Sequence, residues 1–411
     1  PGPFDIFRQN NDFYYLCGVE VPVSYLLIDG AKKQSTLYLP KRDAKMEESE
    51  GAQLSDEDGD LVRAWCGVEK VRPLEKLREN LAGFGRIYVP QAAAEGRQAC
   101  RDTLNYARRI NASDPLGMPA AEKWLHEQVR AANAGAELHD LSPIVDRLRT
   151  VKSAAELGMM ARSGRLSALA AMEAMKSTRA GVSEFQLGAA AEYVFLLNGA
   201  RGGGYRPIIA AGEENIWNIH YYRNNCELRD GDLVLFDYAP DLGNYTSDIG
   251  RMWPVNGKYS AVQRELYGFV IEYHKVLLRH IRAGLSVEQV LANARQEATP
   301  ILESWKWSKA VYRAAAERLL QFAGSLSHSV GMAVHDVGNY KSRPLEAGVV
   351  FALDPQMWVP EEKLYIRVED TVAVTEKGVD VHTTAAPLEL DEVEETMRES
   401  GLIQFRAGDG K

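Results

Sequence analysis

Leu233-Val234-Leu235-Phe236-Asp237-Tyr238-Ala239-Pro240-Asp241-Leu242-Gly243-Asn244-Tyr245-Thr246-Ser247-Asp248 reads as a strand, a turn and the start of a return. Leu233 to Phe236 is a continuous apolar run that ends in a carboxylate. Pro240 to Asn244 supply turn residues, and Tyr245 to Val255 is expected to come back as the second strand. Such a hairpin brings Asp237 and Asp248 close together. Two carboxylates a few ångströms apart cannot both stay ionised without compensating charge. A hard divalent cation such as Mn²⁺ is the simplest compensation. Taken alone, the pair is equally compatible with one aspartate capping the turn and the other facing solvent.

Further along, Val349 to Asp354 repeats the plan, a buried-type strand ending in a carboxylate. The next strand, Tyr365 to Thr375, alternates so that Arg367 and Glu369 share one face while Ile366 and Val368 take the other. A charged strand face usually means solvent, but two carboxylates that end apolar strands are harder to assign to the surface. Between the two halves stands Ser327-His328-Ser329-Val330-Gly331-Met332-Ala333-Val334-His335-Asp336-Val337-Gly338. Its histidines are seven apart with glycine between them, unlike the i, i+4 pair of a helical zinc site. Two rings at different depths of one pocket are expected, one for metal and one for substrate. The alternative is two ordinary loop histidines, although the whole chain has only 8.

Upstream, Ser153-Ala154-Ala155-Glu156 is a capping box that opens a long helix to about Thr178, whose Met and Leu stripe reads as core. Ala180-Gly181-Val182-Ser183 with Gln186, and Ala283-Gly284-Leu285-Ser286 with Gln289, repeat one helix–turn–helix phrase. The repetition suggests duplicated halves. Chance remains the alternative, since Gly followed by a Ser cap is common between helices.

The first ~150 residues alternate strand and helix patterns and read as a small α/β domain. Tyr25 to Asp29 and Thr36 to Pro40 are strands around an Asp29-Gly30 turn, and Arg86 to Pro90 is another. Leu74 to Asn80 and Ala120 to Ala134 look helical. The charged stretch Lys45 to Asp60 reads as a solvated loop.

At 411 residues the chain is long for one core, so two domains are expected. Its 45% hydrophobic and 26% charged residues are an ordinary globular balance. Lys and Arg total 48 against 57 Asp and Glu, for a net charge of -9, which argues against nucleic acid or an anionic membrane as partner. No apolar run reaches the ~18 residues of a membrane span, and no signal-type segment opens the chain. Pro1 in place of Met leaves trimming and export open, with cytoplasm as the default location. Cys17, Cys66, Cys100 and Cys226 are scattered without a CxxC pair, so buried free thiols are expected.

Taken together, these segments resemble the creatinase/aminopeptidase P/prolidase metallopeptidase family, the pita-bread fold, over nearly the whole chain. Ile6-Phe7-Arg8-Gln9-Asn10-Asn11-Asp12-Phe13-Tyr14-Tyr15-Leu16 with Gly18 is similar to the start of the aminopeptidase P amino-terminal domain. Leu148-Arg149 with Lys152-Ser153 and Glu156 resembles the entry to the catalytic domain. Asn218-Ile219-His220-Tyr221-Tyr222 and Leu228 to Val234 resemble the lead into the first ligand strand. Asp237…Tyr245…Asp248-Ile249-Gly250-Arg251, His328…His335-Asp336-Val337-Gly338 and Arg367-Val368-Glu369-Asp370 then follow in family order.

The resemblance implies an α/β two-domain chain: a creatinase-like amino-terminal domain over 1–148 and a pita-bread (α+β, pseudo-two-fold) catalytic domain over 149–411. It implies a dinuclear site in which Asp248, His328, Asp354 and Glu369 contact one metal. Asp237, Asp248 and Glu369 contact the other, so that Asp248 and Glu369 bridge and water is activated near neutral pH. It also implies that His335 steadies the oxyanion, His220 binds substrate and Arg367 pins the site. Position 354 is the family's proton shuttle. Mn²⁺ is the expected ion, with Zn²⁺ or Co²⁺ as alternatives. The expected reaction is hydrolysis of the Xaa-Pro bond of a proline-containing peptide, by a homodimer or larger homo-oligomer. Proline has no N–H to offer an ordinary peptide-cleaving cleft, which gives a pocket shaped to its ring a purpose.

Two positions depart from the family. Asp354 stands where a glutamate is usual and is one methylene shorter, about 1.5 Å of reach. Two ions are still expected to bind, because the other four ligands are unchanged. After Asp237 come Tyr238 and Ala239 rather than a small residue and Gly, and Tyr238 is expected to pack on the opposite strand face. Competing readings are an Xaa-Pro dipeptidase (prolidase), a metal-free creatinase-like C–N hydrolase and an inactive peptide-binding scaffold. The retained carboxylates at 237, 248 and 369 speak against the last two.

Overall fold

The computed structural model describes residues 7–405; Pro1 and the Ile6 that opens the amino-terminal motif lie outside them. The chain divides into two compact units, residues 1–147 and 148–411, and the division falls within one helix.

In the first unit α1 (Asn11–Cys17) starts at Asn10, whose side chain accepts from Phe13 N. β1 (Tyr25–Asp29) and β2 (Gln34–Leu39) form an antiparallel hairpin, closed by Asp29 Oδ1 accepting from Ala31 and Lys32 N–H at 3.1 Å each. The stretch expected to be a loop instead holds α2 (Ala44–Glu50) and the start of α3 (Gly59–Cys66). Local charge pairing explains the difference. Asp43 caps Met46 N at 3.0 Å, and Arg42 reaches Asp58 at 2.7 Å and Glu47 at 3.5 Å. β3 (Lys70–Pro73) joins β2 in parallel. After α4 (Leu77–Leu81), β4 (Arg86–Val89), α5 (Arg101–Asn111) and α6 (Ala121–Ala132), β5 (Glu137–Asp140) pairs with β4, also in parallel. Val19, Leu37, Leu39 and Val62 form one small core, and Leu81, Ile87, Val89 and Val129 another. α7 (Ser142–Thr150) carries the division.

The second unit opens with α8 (Ala154–Ser177), where Glu156 accepts from Ser153 N at 2.8 Å and Ser153 Oγ from Glu156 N at 3.4 Å. Its buried face is built mainly of small residues, Ser163, Ser167, Ala168, Ala171 and Ala174, with Met160 and Met175 at its ends. Leu169, part of the expected stripe, is exposed. α9 (Glu184–Leu197) packs on α8, and α11 (Ala261–His280) packs on α12 (Val287–Ser304), once the short α10 (Glu213–Ile216) has intervened. Both inter-helix turns put their glycine in the left-handed region, Gly181 at φ +84° and Gly284 at +86°. Gln186 and Gln289 then return to the Ser183 and Ser286 N–H; Ser286 Oγ also accepts from Gln289 N at 3.2 Å, whereas the Ser183 hydroxyl donates to Gln186 Oε1 at 3.1 Å. The repeated phrase is thus a repeated backbone shape. α13 (Ala310–Gln321) and α14 (Leu390–Thr396) complete the helices.

The sheet of this unit is antiparallel. Its strands are β6 (Ile208–Ala211), β7 (Leu233–Asp237), β8 (Ile249–Pro254), β9 (Val350–Leu353), β12 (Glu369–Val374) and β13 (Val379–Val381). The order is β13-β12-β8-β7-β6, with β9 also on β12; β10 (Gln356–Val359) and β11 (Leu364–Arg367) form a separate hairpin. Val234, Leu235, Phe236, Met252 and Trp253 are fully buried, so both faces of the central strands are covered. Each such side chain contributes about 1.5–3 kcal/mol.

Two strand readings need correction. The return strand starts at Ile249, not Tyr245, because Tyr245 pairs with Leu242 inside the turn. Tyr365 to Thr375 is two strands broken at Val368, one in each sheet. One cysteine reading fails too: Cys226 is exposed and Cys66 half-buried, while Cys17 and Cys100 are buried.

Candidate metal centre

Register places the chemistry. Ile208 pairs with Asp237, Asp237 with Gly250, and Gly250 with Glu369, so one row crosses four strands and puts a carboxylate on either side of a glycine. Asp248 sits just before β8, where Thr371 holds it. The threonine hydroxyl accepts from Asp248 N at 2.7 Å and donates to Asp248 O at 2.9 Å. Tyr205 places its hydroxyl between the two aspartates, 2.7 Å from Asp237 Oδ1 and 2.8 Å from Asp248 Oδ1.

His328 Nδ1 donates to Ser329 O at 3.2 Å, leaving Nε2 turned to Asp248 at 3.4 Å and Glu369 at 3.8 Å. A ring fixed through one nitrogen, with the other turned towards carboxylates, is the usual arrangement of a metal-binding histidine. Ligand atoms of Asp248, His328 and Glu369 all lie within 4.8 Å of one another. Asp237 joins this trio through Tyr205, and Asp354 through Arg367, whose guanidinium contacts Asp237, Glu369 at 3.1 Å and Asp354 at 3.6 Å. The break at Val368 lets Arg367 do this, because it frees β11 from the row that β12 follows. The Arg367 and Glu369 side chains are buried, not solvated.

The remaining site residues are less concentrated. His335 lies against His328, ring centres 3.9 Å apart and planes tilted by 40°. His220 is exposed, in the segment between α10 and β7, stacked on Tyr222 at 6.2 Å. Asp354 follows β9, and Gln356 Nε2 donates to its Oδ2. Tyr238 packs on Phe195 and Tyr205 as expected, with its hydroxyl on Glu192.

Charge runs short here. Burial pushes the Asp237 carboxyl up to about 7 against the pull of Arg367, with Asp248 adding to the rise. Burial also drives Glu369 far above the carboxylate range, reinforced by Asp248 and Asp354. Asp248 goes the other way: burial raises it, but His328, Tyr205 and Arg367 together prevail. His328 is raised in turn: burial lowers it, but Asp248 prevails. Asp354 Oδ1 is buried and accepts no hydrogen bond, and Glu369 Oε2, although 3.1 Å from Arg367 Nη1, is not met in hydrogen-bond geometry. Carboxylates facing one guanidinium, with two buried oxygens that accept no hydrogen bond, are a donor set that fits a hard divalent cation.

Other groups had weak sequence signals or none. Tyr205 is marked only by the glycines before it. The buried Asp370 has no signal of its own; it accepts from Arg251 at 2.7 Å and contacts His274 at 2.8 Å, while Arg251 also holds Glu369 O at 2.7 Å. Arg149 and Lys152, singled out in the sequence without a role, pair with buried Asp336.

A sheet that gathers carboxylates and a histidine into such a site defines a candidate metal centre, and the family match makes it that of a metallopeptidase. Residues 158–376 match metallopeptidase family M24 and residues 4–87 the aminopeptidase P amino-terminal domain, and the chain belongs to this family. It is 31% identical to the Xaa-Pro aminopeptidase of Escherichia coli over 95% of this chain and 89% of that one. Xaa-Pro aminopeptidase 3 of Mus musculus is 30% identical, over 95% and 76%. The zinc-substituted structure of E. coli aminopeptidase P in complex with product aligns with a TM-score of 0.75 at 30% identity, covering 96% of this chain and 90% of that one. The two-domain fold and the family read from sequence are thereby borne out.

Proposed function

We propose that this metallopeptidase is a Xaa-Pro aminopeptidase working with two divalent cations, Mn²⁺ foremost and Zn²⁺ or Co²⁺ as alternatives. The observation that carries the reading is the meeting of Asp248, His328 and Glu369 ligand atoms within 4.8 Å, beside Asp237 and the unsatisfied oxygen of Asp354. Asp248, His328, Asp354 and Glu369 would hold one ion, and Asp237, Asp248 and Glu369 the other. Bound there, the cations supply Lewis acidity and lower the pKa of water.

The protein's own groups do the rest. Arg367 keeps three carboxylates in place through charge-assisted contacts. His335 donates an N–H to the scissile carbonyl oxygen as charge develops on it. His220 binds the peptide beside the scissile bond. Asp354 takes a proton from the attacking water and delivers it to the proline nitrogen, so the carbonyl carbon gains the hydroxyl and the nitrogen the hydrogen. Residues 1–148 form the amino-terminal domain and 149–411 the catalytic one. The reading extends to a homodimer or larger assembly and to the cytoplasm.

The test is release of the first residue from Xaa-Pro-Yaa and longer peptides, with metal counted per chain after loading with Mn²⁺. Turnover that a chelator abolishes and Mn²⁺ restores, with two ions per chain, is expected. One ion or none would sink the dinuclear site. Turnover of Xaa-Pro alone would turn the assignment to a dipeptidase, and no turnover of any peptide would overturn the enzyme.

A further inference from the structure

The first residue of α9, Glu184, is fully buried, although an acidic residue in a first helical turn is ordinarily exposed to water. Its carboxylate is spent on one segment of chain. Oε1 accepts from Ala211 N at 2.7 Å and Asn215 Nδ2 at 3.0 Å. Oε2 accepts from the Tyr221 hydroxyl at 2.9 Å and Cys226 N at 3.0 Å. All four donors belong to the stretch from the end of β6 to Cys226, and Cys226 O in turn accepts from Glu184 N at 2.9 Å.

That stretch leaves the sheet three residues after Ile208, the register partner of Asp237. A second anchor, Asn224, accepts from Ile209 N at 2.9 Å and donates to Pro207 O at 2.9 Å. Between the anchors the loop carries His220, Tyr222 and Trp217, and Trp217 meets Trp358 of β10 edge-on at 5.1 Å. Apolar packing could close this loop without the desolvation that a buried carboxylate costs. Four charge-assisted hydrogen bonds instead select a single geometry for it.

We propose that Glu184 is a positioning residue of the peptide site, setting the 212–226 loop so that His220 is presented to the bound peptide. This rests on the reading of His220 as a substrate contact. Glu184 touches neither the ligand cluster nor its hydrogen-bond partners, so its loss lowers the fraction of molecules with the loop in place. Apparent affinity for peptide falls in proportion to that fraction. The chemical step in molecules that have bound is spared.

The experiment compares Glu184→Gln, His220→Ala and the double variant in the Mn²⁺-loaded enzyme with an Xaa-Pro-Yaa peptide. Glutamine keeps the shape but turns an NH₂ towards donors. Glu184→Gln should raise KM about tenfold, as expected if the loop is in place about a tenth of the time. Its kcat should stay within about threefold and its metal content unchanged. In the double variant kcat/KM should match His220→Ala alone, because there is no longer a histidine to position. Should Glu184→Gln not fold, Tyr221→Phe removes one donor and should move KM the same way. A Glu184→Gln KM within about twofold of wild type, or a loss that multiplies onto that of His220→Ala, would overturn the inference while leaving the functional reading intact. An unimpaired His220→Ala enzyme would overturn both the role of His220 and the inference.

Discussion

Glu369 and Gly250 face each other across β12 and β8, and a Cβ built on Gly250 would stand 2.8 Å from the Glu369 Cβ and 3.1 Å from its Oε2. The glycine is therefore the space into which the Glu369 carboxylate folds. Gly250→Ala must displace Glu369, or Arg367, whose Nε is 3.4 Å from the same point. Overpacking of this kind costs about 1–3 kcal/mol. We expect lower thermal stability and Mn²⁺ affinity weaker by about 10–100-fold, the range for disturbed support of a ligand. Calorimetric titration checks it, and unchanged affinity would show that the row has room to spare.

The Tyr205 hydroxyl bridges Asp237 and Asp248 where a cation would otherwise have to separate them. Its own ionisation is pushed far above the usual value, by burial first and then by both aspartates. Tyr205→Phe should destabilise the metal-free protein by about 1–3 kcal/mol, the cost of leaving a buried charged acceptor unpaired. The Mn²⁺-loaded protein should lose much less, since the ion takes over. Unfolding midpoints with chelator and with Mn²⁺ measure the difference; equal losses in both states would contradict it.

How much of this was legible follows from what each feature depends on. Asp237 and Glu369 could be read because strand period and apolar runs are local. Their mutual approach depends on register with Gly250, which no local pattern reveals. The break at Val368 was hidden because Tyr365 to Glu369 alternates straight across it, and only competition between two sheets divides it. Glu184 reads as an ordinary first-turn acid, since its burial is imposed by a loop returning from β6. Lys45 to Asp60 misled for the opposite reason: composition suggested solvent, while side-chain caps and the Arg42 pairs were enough to wind helices.

In metal-free protein Asp237 titrates near 7, raised by burial against Arg367 from an ordinary 3.8. A carboxyl raised in the folded state stabilises fully below its unfolded pKa, and that contribution is lost as pH rises through the folded value. The metal-free protein should therefore lose stability relative to Asp237→Asn between about pH 4 and pH 7. Ion binding expels the same proton together with those of Glu369, which burial holds far above the carboxylate range, and of His328, which Asp248 keeps protonated against burial. Calorimetry near pH 6 in buffers of different ionisation heat should show release of about two to three protons, and about one fewer in Asp237→Asn. No difference between the two proteins would place the titration elsewhere.

Asp354 divides its two oxygens. Oδ2 accepts from Gln356 Nε2 and lies 3.6 Å from Arg367 Nη1, whereas Oδ1 is buried and accepts nothing. Burial raises this carboxyl despite Arg367 and Gln356, which suits a group that must carry a proton between water and the leaving nitrogen. Asp354→Asn keeps the shape and removes the proton carrier. It should lower kcat by about 10²–10⁴-fold, the usual worth of a general acid–base group, with KM little changed. Gln356→Ala frees Oδ2 to turn, and a smaller kcat loss of about 2–10-fold is expected from weaker orientation of the same carboxylate. If Gln356 acts only through Asp354, the double variant should be no slower than Asp354→Asn. A further loss in the double variant, measured at saturating peptide and Mn²⁺, would assign Gln356 a contact of its own with the peptide.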